Sequence, residues 1–230
     1  MRIRYIRRPR AGSPGKVYLL DLDNTLHHAS RHILPEINRQ MTQYLAEHLA
    51  LSAADASALR TLYWKKYGAT LLGMMRHHQT DPHHFLANTH RFGPLKTLSA
   101  RPSSVPHRLR QLNGVRIMLT NAPRAYAVDL CKTLGLYQHL HAVVAIEDMV
   151  VHQVWRPKPS PVLWRNLKAK LKGRKALLVD DTLGHLHAAA RHGIQTSWIT
   201  MPGLGFKPRQ LTGRVKHRIR HFEKIRTAKF

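Results

Sequence analysis

Two hydrophobic patterns share the chain. The stretch VYLLD, 17–21, is a short apolar run ending in acid, the pattern of a strand buried on both faces. From Pro35 to about Arg91 nothing reads as a strand. Instead, Ile37, Met41, Tyr44, Leu45, His48 and Leu49 recur at helical spacing behind Pro35. SAADASALRTLYWKKYG opens on a serine cap and closes at Gly68, and TLLGMMRHHQ and DPHHFLANTHR complete a block of about four helices. From Ser103 helices and strands alternate. VPHRLRQLNG, PRAYAVDLCKTLG, SPVLWRNLKAKLKG and LGHLHAAARHG are predicted helices, and VRIMLTN, HAVVAIED, KALLVDD and QTSWIT predicted strands.

This alternation predicts an α/β fold, a doubly wound parallel sheet with a helical insertion between the first strand and the rest. The expected division is a core of 14–30 and 100–205, a helical unit of 31–99, and basic terminal segments of 1–13 and 206–230. Within the last segment, Val215, Ile219, Phe222 and Ile225 step by four, three and three, which predicts one stripe of a terminal helix docked on the core.

At 230 residues and 43% hydrophobic content, the chain can bury a sizeable core. No apolar run reaches the roughly 18 residues of a membrane helix, and the arginine-rich start lacks the apolar stretch of a secretory signal, so the expected location is cytoplasmic. The single cysteine, Cys131, excludes an internal disulfide, and no Cys/His framework for zinc is present. A formal charge of +26 favours anionic partners, and the basic ends are candidates for non-specific polyanion binding.

Against that charge, the placement of acid is informative. In open α/β sheets, ligands bind beyond the carboxyl ends of the strands. There the sequence puts Asp21 and Asp23, then Thr120 and Asn121, then Asp180 and Asp181, with Lys158 in the loop that opens a helix. Such a set suits phosphoryl transfer. Carboxylates from two strand ends share a magnesium ion, one attacks phosphorus to give an aspartyl phosphate, and another handles the proton. A lysine with Thr/Asn and backbone N–H groups holds the phosphate oxygens.

The segments DLDNTL at 21–26, Thr120 with Asn121, KPSP at 158–161 and VDDTLGHLHAAARHG at 179–193 resemble, in order, the four motifs of the haloacid dehalogenase (HAD) superfamily of phosphatases. The helical insertion resembles that superfamily's cap. DLDNTLHHASRHILPEINRQMTQYL, YGATLLGMMRHH and LTNAPRAYAVDLCKTLGL are similar to bacterial pyrimidine 5'-nucleotidases. The resemblance implies a Rossmann-like core and Mg2+-dependent release of phosphate from nucleoside monophosphates such as UMP and CMP. It makes Asp21 the nucleophile and a metal ligand, and Asp23 the general acid/base, its carbonyl on the metal. Thr120 and the amide of Asn121 would bind phosphate, with Lys158 pairing with phosphate and Asp21. Asp181 becomes the candidate direct ligand and Asp180 a ligand through water, an order the sequence leaves open. Dehalogenases of the superfamily do not carry the second aspartate, so Asp23 implies phosphate chemistry.

Singly, each signal has a plain structural explanation. A lone DxD occurs in ordinary turns, Asp180 and Asp181 can cap a helix, and Lys158 can be a surface lysine. The histidine pairs lack the i, i+4 spacing of a metal site, but His27 and His28 follow the first motif and are candidates for contact with substrate or cap. Trp155 and Trp164 are expected in core packing. Two other functions share these features: a phosphatase or mutase for sugar phosphates or phosphoglycolate, and a nucleic-acid-binding protein using the basic ends, although no stacking motif supports the latter.

Overall fold

The computed structural model describes residues 1–7, 9, 15–93, 104–200, 215 and 217–225. The chain divides into two compact units, one of Met1–His28 with Ser99–Phe230, the other of Ala29–Leu98.

The first unit is a mostly parallel seven-stranded sheet in the order β1-β4-β3-β2-β7-β8-β9. Its strands are β1 (Arg4–Tyr5), β2 (Lys16–Leu20), β3 (Val115–Leu119), β4 (Ala142–Val144), β7 (Lys175–Asp180), β8 (Gln195–Ile199) and β9 (His217–Ile219). A separate antiparallel pair, β5 (Val150–Val151) and β6 (Val154–Trp155), follows β4. β2 is central: Leu19 pairs with Ile117 of β3 on one side and Leu178 of β7 on the other, both in parallel. The chain winds outward from β2 through β3 to β4, then returns to β7 on the opposite flank. That reversal opens a crevice at the carboxyl ends of β2 and β7.

Both sheet faces are buried, which is why these strands are apolar throughout. On one face Val17, Leu19, Ile117, Val144, Leu178 and Trp198 form a core with Leu163, Trp164 and Leu167 of α7 (Pro161–Lys170) and Leu186 of α8 (Leu183–Arg191). On the other, Met118 meets Cys131 of α6 (Arg124–Thr133), their sulfur atoms 3.9 Å apart. The helix α5 (Val105–Gln111) precedes β3.

The second unit holds α1 (Ile33–Leu49), α2 (Ala53–Tyr67), α3 (Thr70–His78) and α4 (Pro82–Thr89), and comes between β2 and β3 in the chain. Its helix ends follow the expected chemistry. Ser52 accepts from the Asp55 amide at 3.1 Å, Asp81 accepts from the His84 amide at 2.6 Å, and Gly68 ends α2 with a left-handed φ of 82°. Its histidines bond to tyrosines, Tyr44 to His84 at 2.8 Å and Tyr63 to His78 at 2.8 Å, while His48 and His77 stack on the same two rings. Gly73 is required by packing, since a Cβ there would lie 2.2 Å from Tyr63 Cγ.

Three local expectations change. Ile146–Asp148, expected to continue the strand of HAVVAIED, forms a 3-10 turn instead. The two termini add edge strands: β1 pairs antiparallel with β4, and β9 pairs in parallel with β8. The predicted terminal helix is therefore a short strand and a 3-10 turn (Phe222–Lys224), although Val215, Phe222 and Ile225 are buried as that stripe required. A ladder partner in β8 satisfies the backbone there, which helical spacing in a basic run cannot signal. The rest of the basic ends, at 8, 10–13, 206–214, 216 and 226–230, lies outside the described residues.

A docked C-terminal segment makes a direct prediction. Phe222 is 1% exposed, so Phe222→Ala should cost about 3–5 kcal/mol in denaturant unfolding. Arg220→Ala, at an exposed position, should stay within about 0.5 kcal/mol. Equal, small effects would mean that the segment does not pack.

Candidate active site

Every polar residue singled out at the strand ends belongs to the first unit. Asp21 directly follows β2, Thr120 and Asn121 follow β3, and Asp180 ends β7 with Asp181 next to it. Adjacent parallel strands in this register bring those ends together. One ligand atom each from Asp21, Asp180 and Asp181 lies within 4.8 Å of the others.

Lys158 ties the cluster. Its ammonium, completely buried, donates to Asp21 Oδ1 at 2.7 Å and to Asp180 Oδ2 at 2.7 Å. Its backbone is clasped by the Asn121 side chain: Asn121 Nδ2 donates to the Lys158 carbonyl at 2.9 Å, and the Lys158 N–H donates to Asn121 Oδ1 at 3.0 Å. Trp164 Nε1 fixes the same loop through the Pro159 carbonyl at 3.2 Å. Burial opposes charge on Lys158, but Asp180 and Asp21 outweigh it and hold the ammonium above its ordinary pKa.

The carboxylates divide by environment. Asp180 is fully buried, and burial disfavours its charge. His185 in the first turn of α8 (Nδ1 to Oδ1, 3.0 Å) and Lys158 overcome that penalty and hold it below the usual range. The Thr182 amide adds a bond to Asp180 Oδ1 at 2.8 Å. Burial pushes Asp21 up to about 6, with Lys158 opposing and Asp180 adding to the rise. Burial and the charges of Asp180 and Asp21 likewise push Asp181 well above the ordinary carboxylate value. Thr25 donates to Asp21 Oδ2 at 3.3 Å, and the Thr182 hydroxyl to Asp181 Oδ1 at 3.1 Å.

Asp21 and Asp181 therefore resist ionising, first because they are buried and then because several carboxylates share one ammonium. A hard divalent cation answers that excess, and the donor set, carboxylate oxygens only, suits one. Asp180 has its oxygens committed to Lys158, His185 and Thr182, whereas among the described residues the Asp181 carboxylate accepts a bond from its neighbour Thr182 alone.

The first motif turns sharply after β2. Asn24 takes a left-handed φ of 56°, Leu26 N–H returns to the Leu22 carbonyl at 2.9 Å, and the turn carries residue 27 back beside residue 23. His27 is thereby fully buried, with Nε2 2.8 Å from Asp23 Oδ1. His27, a candidate for contact with substrate or cap, has its side chain against Asp23. His28 is half-buried at the end of the same unit. Tyr126 in the first turn of α6 donates to Asp23 Oδ1 at 2.6 Å. Burial and Asp23 push that phenol well up, so it remains a donor. Thr120 is buried, its hydroxyl accepting the Ala122 amide at 3.0 Å.

A family model for haloacid dehalogenase-like hydrolases matches residues 16–193. The chain belongs to the haloacid dehalogenase-like hydrolases. It is 28% identical over 208 residues to the GMP/IMP nucleotidase YrfG of Escherichia coli (strain K12), covering 84% of this chain and 86% of the relative, and equally to that of Shigella flexneri. YfnB of Bacillus subtilis, described as a HAD hydrolase and bound to magnesium, has the same fold at a TM-score of 0.59 and 14% identity over 90% of this chain and 95% of that one. A HAD-superfamily hydrolase of Geobacter sulfurreducens matches at a TM-score of 0.51 and 16% identity, covering 93% and 95%. As a HAD-type hydrolase the protein is an enzyme, and its α/β core is the Rossmann-like sheet of that family. Among the described residues, no helix is long and apolar enough to cross a membrane.

Sequence reasoning missed His185, Tyr126 and Thr25. His185 lies five residues after Asp180 and Thr25 four after Asp21, spacings at which a following turn can reach back. Tyr126 is 103 residues from Asp23 and carries no local signal.

The bridging lysine makes a prediction. Lys158→Met leaves Asp21 and Asp180 buried without their cation and should cost about 3–5 kcal/mol near neutral pH. Without the ammonium the folded-state carboxyl pKa values rise, so the folded variant takes up protons as pH falls. The deficit against wild type should then shrink between neutral pH and about pH 5 in paired denaturant titrations. A deficit that is constant with pH would mean the lysine contributes packing alone.

Proposed function

We propose that this hydrolase is a Mg2+-dependent phosphomonoesterase that works through an aspartyl phosphate on Asp21 and takes nucleoside 5'-monophosphates, UMP and CMP foremost. The reading is carried by one observation: Asp21 bonded to a buried lysine, within reach of two more carboxylates, with a second aspartate two residues on. A nucleophile, a neutralising cation and a proton carrier are what phosphate-ester cleavage demands.

Asp21 attacks phosphorus while Lys158 balances charge on the carboxylate and the incoming phosphate. Asp23 gives its proton to the leaving oxygen as the ester P–O bond breaks, then takes one from the water that hydrolyses the aspartyl phosphate. Thr120 and the Asn121 amide hold non-bridging oxygens; the Asn121 side chain keeps Lys158 in place. Asp21, Asp181 and the Asp23 carbonyl would hold Mg2+, with Asp180 acting through water. Bound there, Mg2+ offsets the crowded carboxylates and polarises the phosphoryl group. The nucleotide choice is supported by the cap and flank resemblance and by kinship with a nucleotidase, whose name specifies GMP and IMP.

Phosphate release with Mg2+ should be faster from UMP and CMP than from GMP, IMP or sugar phosphates. Asp21→Asn should lower kcat by at least about a thousandfold. Preference for GMP and IMP would keep the nucleotidase and overturn the pyrimidine choice; preference for sugar phosphates would overturn both. An active Asp21→Asn would remove the nucleophile.

Metal binding carries its own pH signature. Asp21 and Asp181 are pushed up in the metal-free protein, so protons compete with Mg2+ as pH falls through about 6. The rise in Tm on adding Mg2+ should be large near pH 7.5 and fade toward pH 5. Asp181→Asn should weaken it more than Thr120→Val does. A Tm response independent of pH would contradict carboxylate ligation.

A further inference from the structure

Two buried side chains converge on the carboxylate of Asp23, and the chemistry assigned above does not use either. The Tyr126 hydroxyl and His27 Nε2 meet the same oxygen, Oδ1, at 2.6 and 2.8 Å. Tyr126 is 4% exposed and His27 0%. Toward an ionised carboxylate, His27 must carry its ring hydrogen on Nε2. Its Nδ1 is buried with no hydrogen-bond partner.

That orphan nitrogen argues against mere packing. Leaving a buried polar atom unpaired costs roughly 1–3 kcal/mol, and an apolar residue would fill the same space without that cost. Among the described residues, the one side-chain hydrogen bond of this imidazole is to Asp23. Tyr126 reaches the same oxygen from α6, a separate element. Two donors arriving from different elements oppose rotation of the carboxylate about its Cβ–Cγ bond. They also disfavour a proton on Oδ1, whose lone pairs accept both bonds.

We propose that Tyr126 and His27 are positioning residues for Asp23, holding its carboxylate in one rotamer and confining the transferable proton to Oδ2. This rests on Asp23 as the general acid/base. In the acid step, Oδ2–H passes its proton to the leaving oxygen, which keeps the electron pair of the breaking P–O bond, and Asp23 is left ionised. In the second step, Oδ2 recovers a proton from the attacking water as phosphate departs from Asp21. Both donors remain in place throughout, so neither is consumed.

The leaving group separates positioning from general damage. An alkoxide such as the nucleoside of UMP needs protonation as it departs; para-nitrophenolate does not. The value of kcat/KM reports steps through the first irreversible one, so it isolates the acid step. In Tyr126→Phe and His27→Leu, kcat/KM for UMP should fall about ten- to a hundredfold, and for para-nitrophenyl phosphate by no more than about threefold. Another hydrolysed alkyl phosphate replaces UMP if UMP is not a substrate. His27→Gln, which keeps a donor, should recover part of the loss. Asp23→Asn should show the same leaving-group dependence, more strongly.

Equal losses on both esters in Tyr126→Phe, with the dependence intact in Asp23→Asn, would overturn the positioning role alone. Equal losses in Asp23→Asn would overturn the acid/base reading itself. Tyr126→Phe removes a single oxygen, so it decides the matter if His27→Leu fails to fold.

Discussion

The structure turns on one buried ammonium. Lys158 lies between Asp21 and Asp180, 2.7 Å from each, where the carboxyl ends of β2 and β7 meet. Removing three charges from water is expensive, and their attraction offsets that cost only with close geometry and further bonds to the remaining donors and acceptors. Those bonds are present. Thr25 serves Asp21, Thr182 and His185 serve Asp180, and the Asn121 side chain grips the lysine backbone. The loop, two strand ends and the start of α8 are thus held to a common point. A shift of any one element would leave a charge buried alone.

Balance at that point is incomplete, and the proposed function uses the imbalance. Three of the twelve acidic residues of a chain with 38 lysines and arginines gather around one lysine. Asp180 is held ionised by Lys158 and His185, while Asp21 and Asp181 are pushed toward neutrality. The residual field favours a divalent cation, and a cation there in turn favours a phosphate dianion. The overall charge of +26 adds long-range attraction for the same anion. Asp23 stands apart from this group, with a phenol and an imidazole on one of its oxygens.

How much of this was legible follows from the range of each signal. Apolar strands ending in acid, and helix caps such as Ser52 and Gly68, are local, so the parallel sheet and the helical insertion could be read directly. Asp21, Asp180 and Lys158 could be grouped because one rule, ligands at the carboxyl ends of strands, gathers distant residues onto one edge. Tyr126 escaped because its approach to Asp23 depends on how α6 leans on the sheet. The bond of His27 to Asp23 could not be read either, because it depends on the left-handed turn at Asn24. The edge strands β1 and β9, of two and three residues, are too short for periodicity to register.

The central claim is that Asp21 becomes covalently phosphorylated. Acid quenching during a single turnover with a phosphoryl-labelled nucleotide, followed by peptide mapping, tests it most directly. The account predicts transient label on the peptide carrying Asp21, lost on treatment with hydroxylamine and absent from Asp21→Asn. Turnover with no labelled enzyme at any time, or label on another residue, would contradict it.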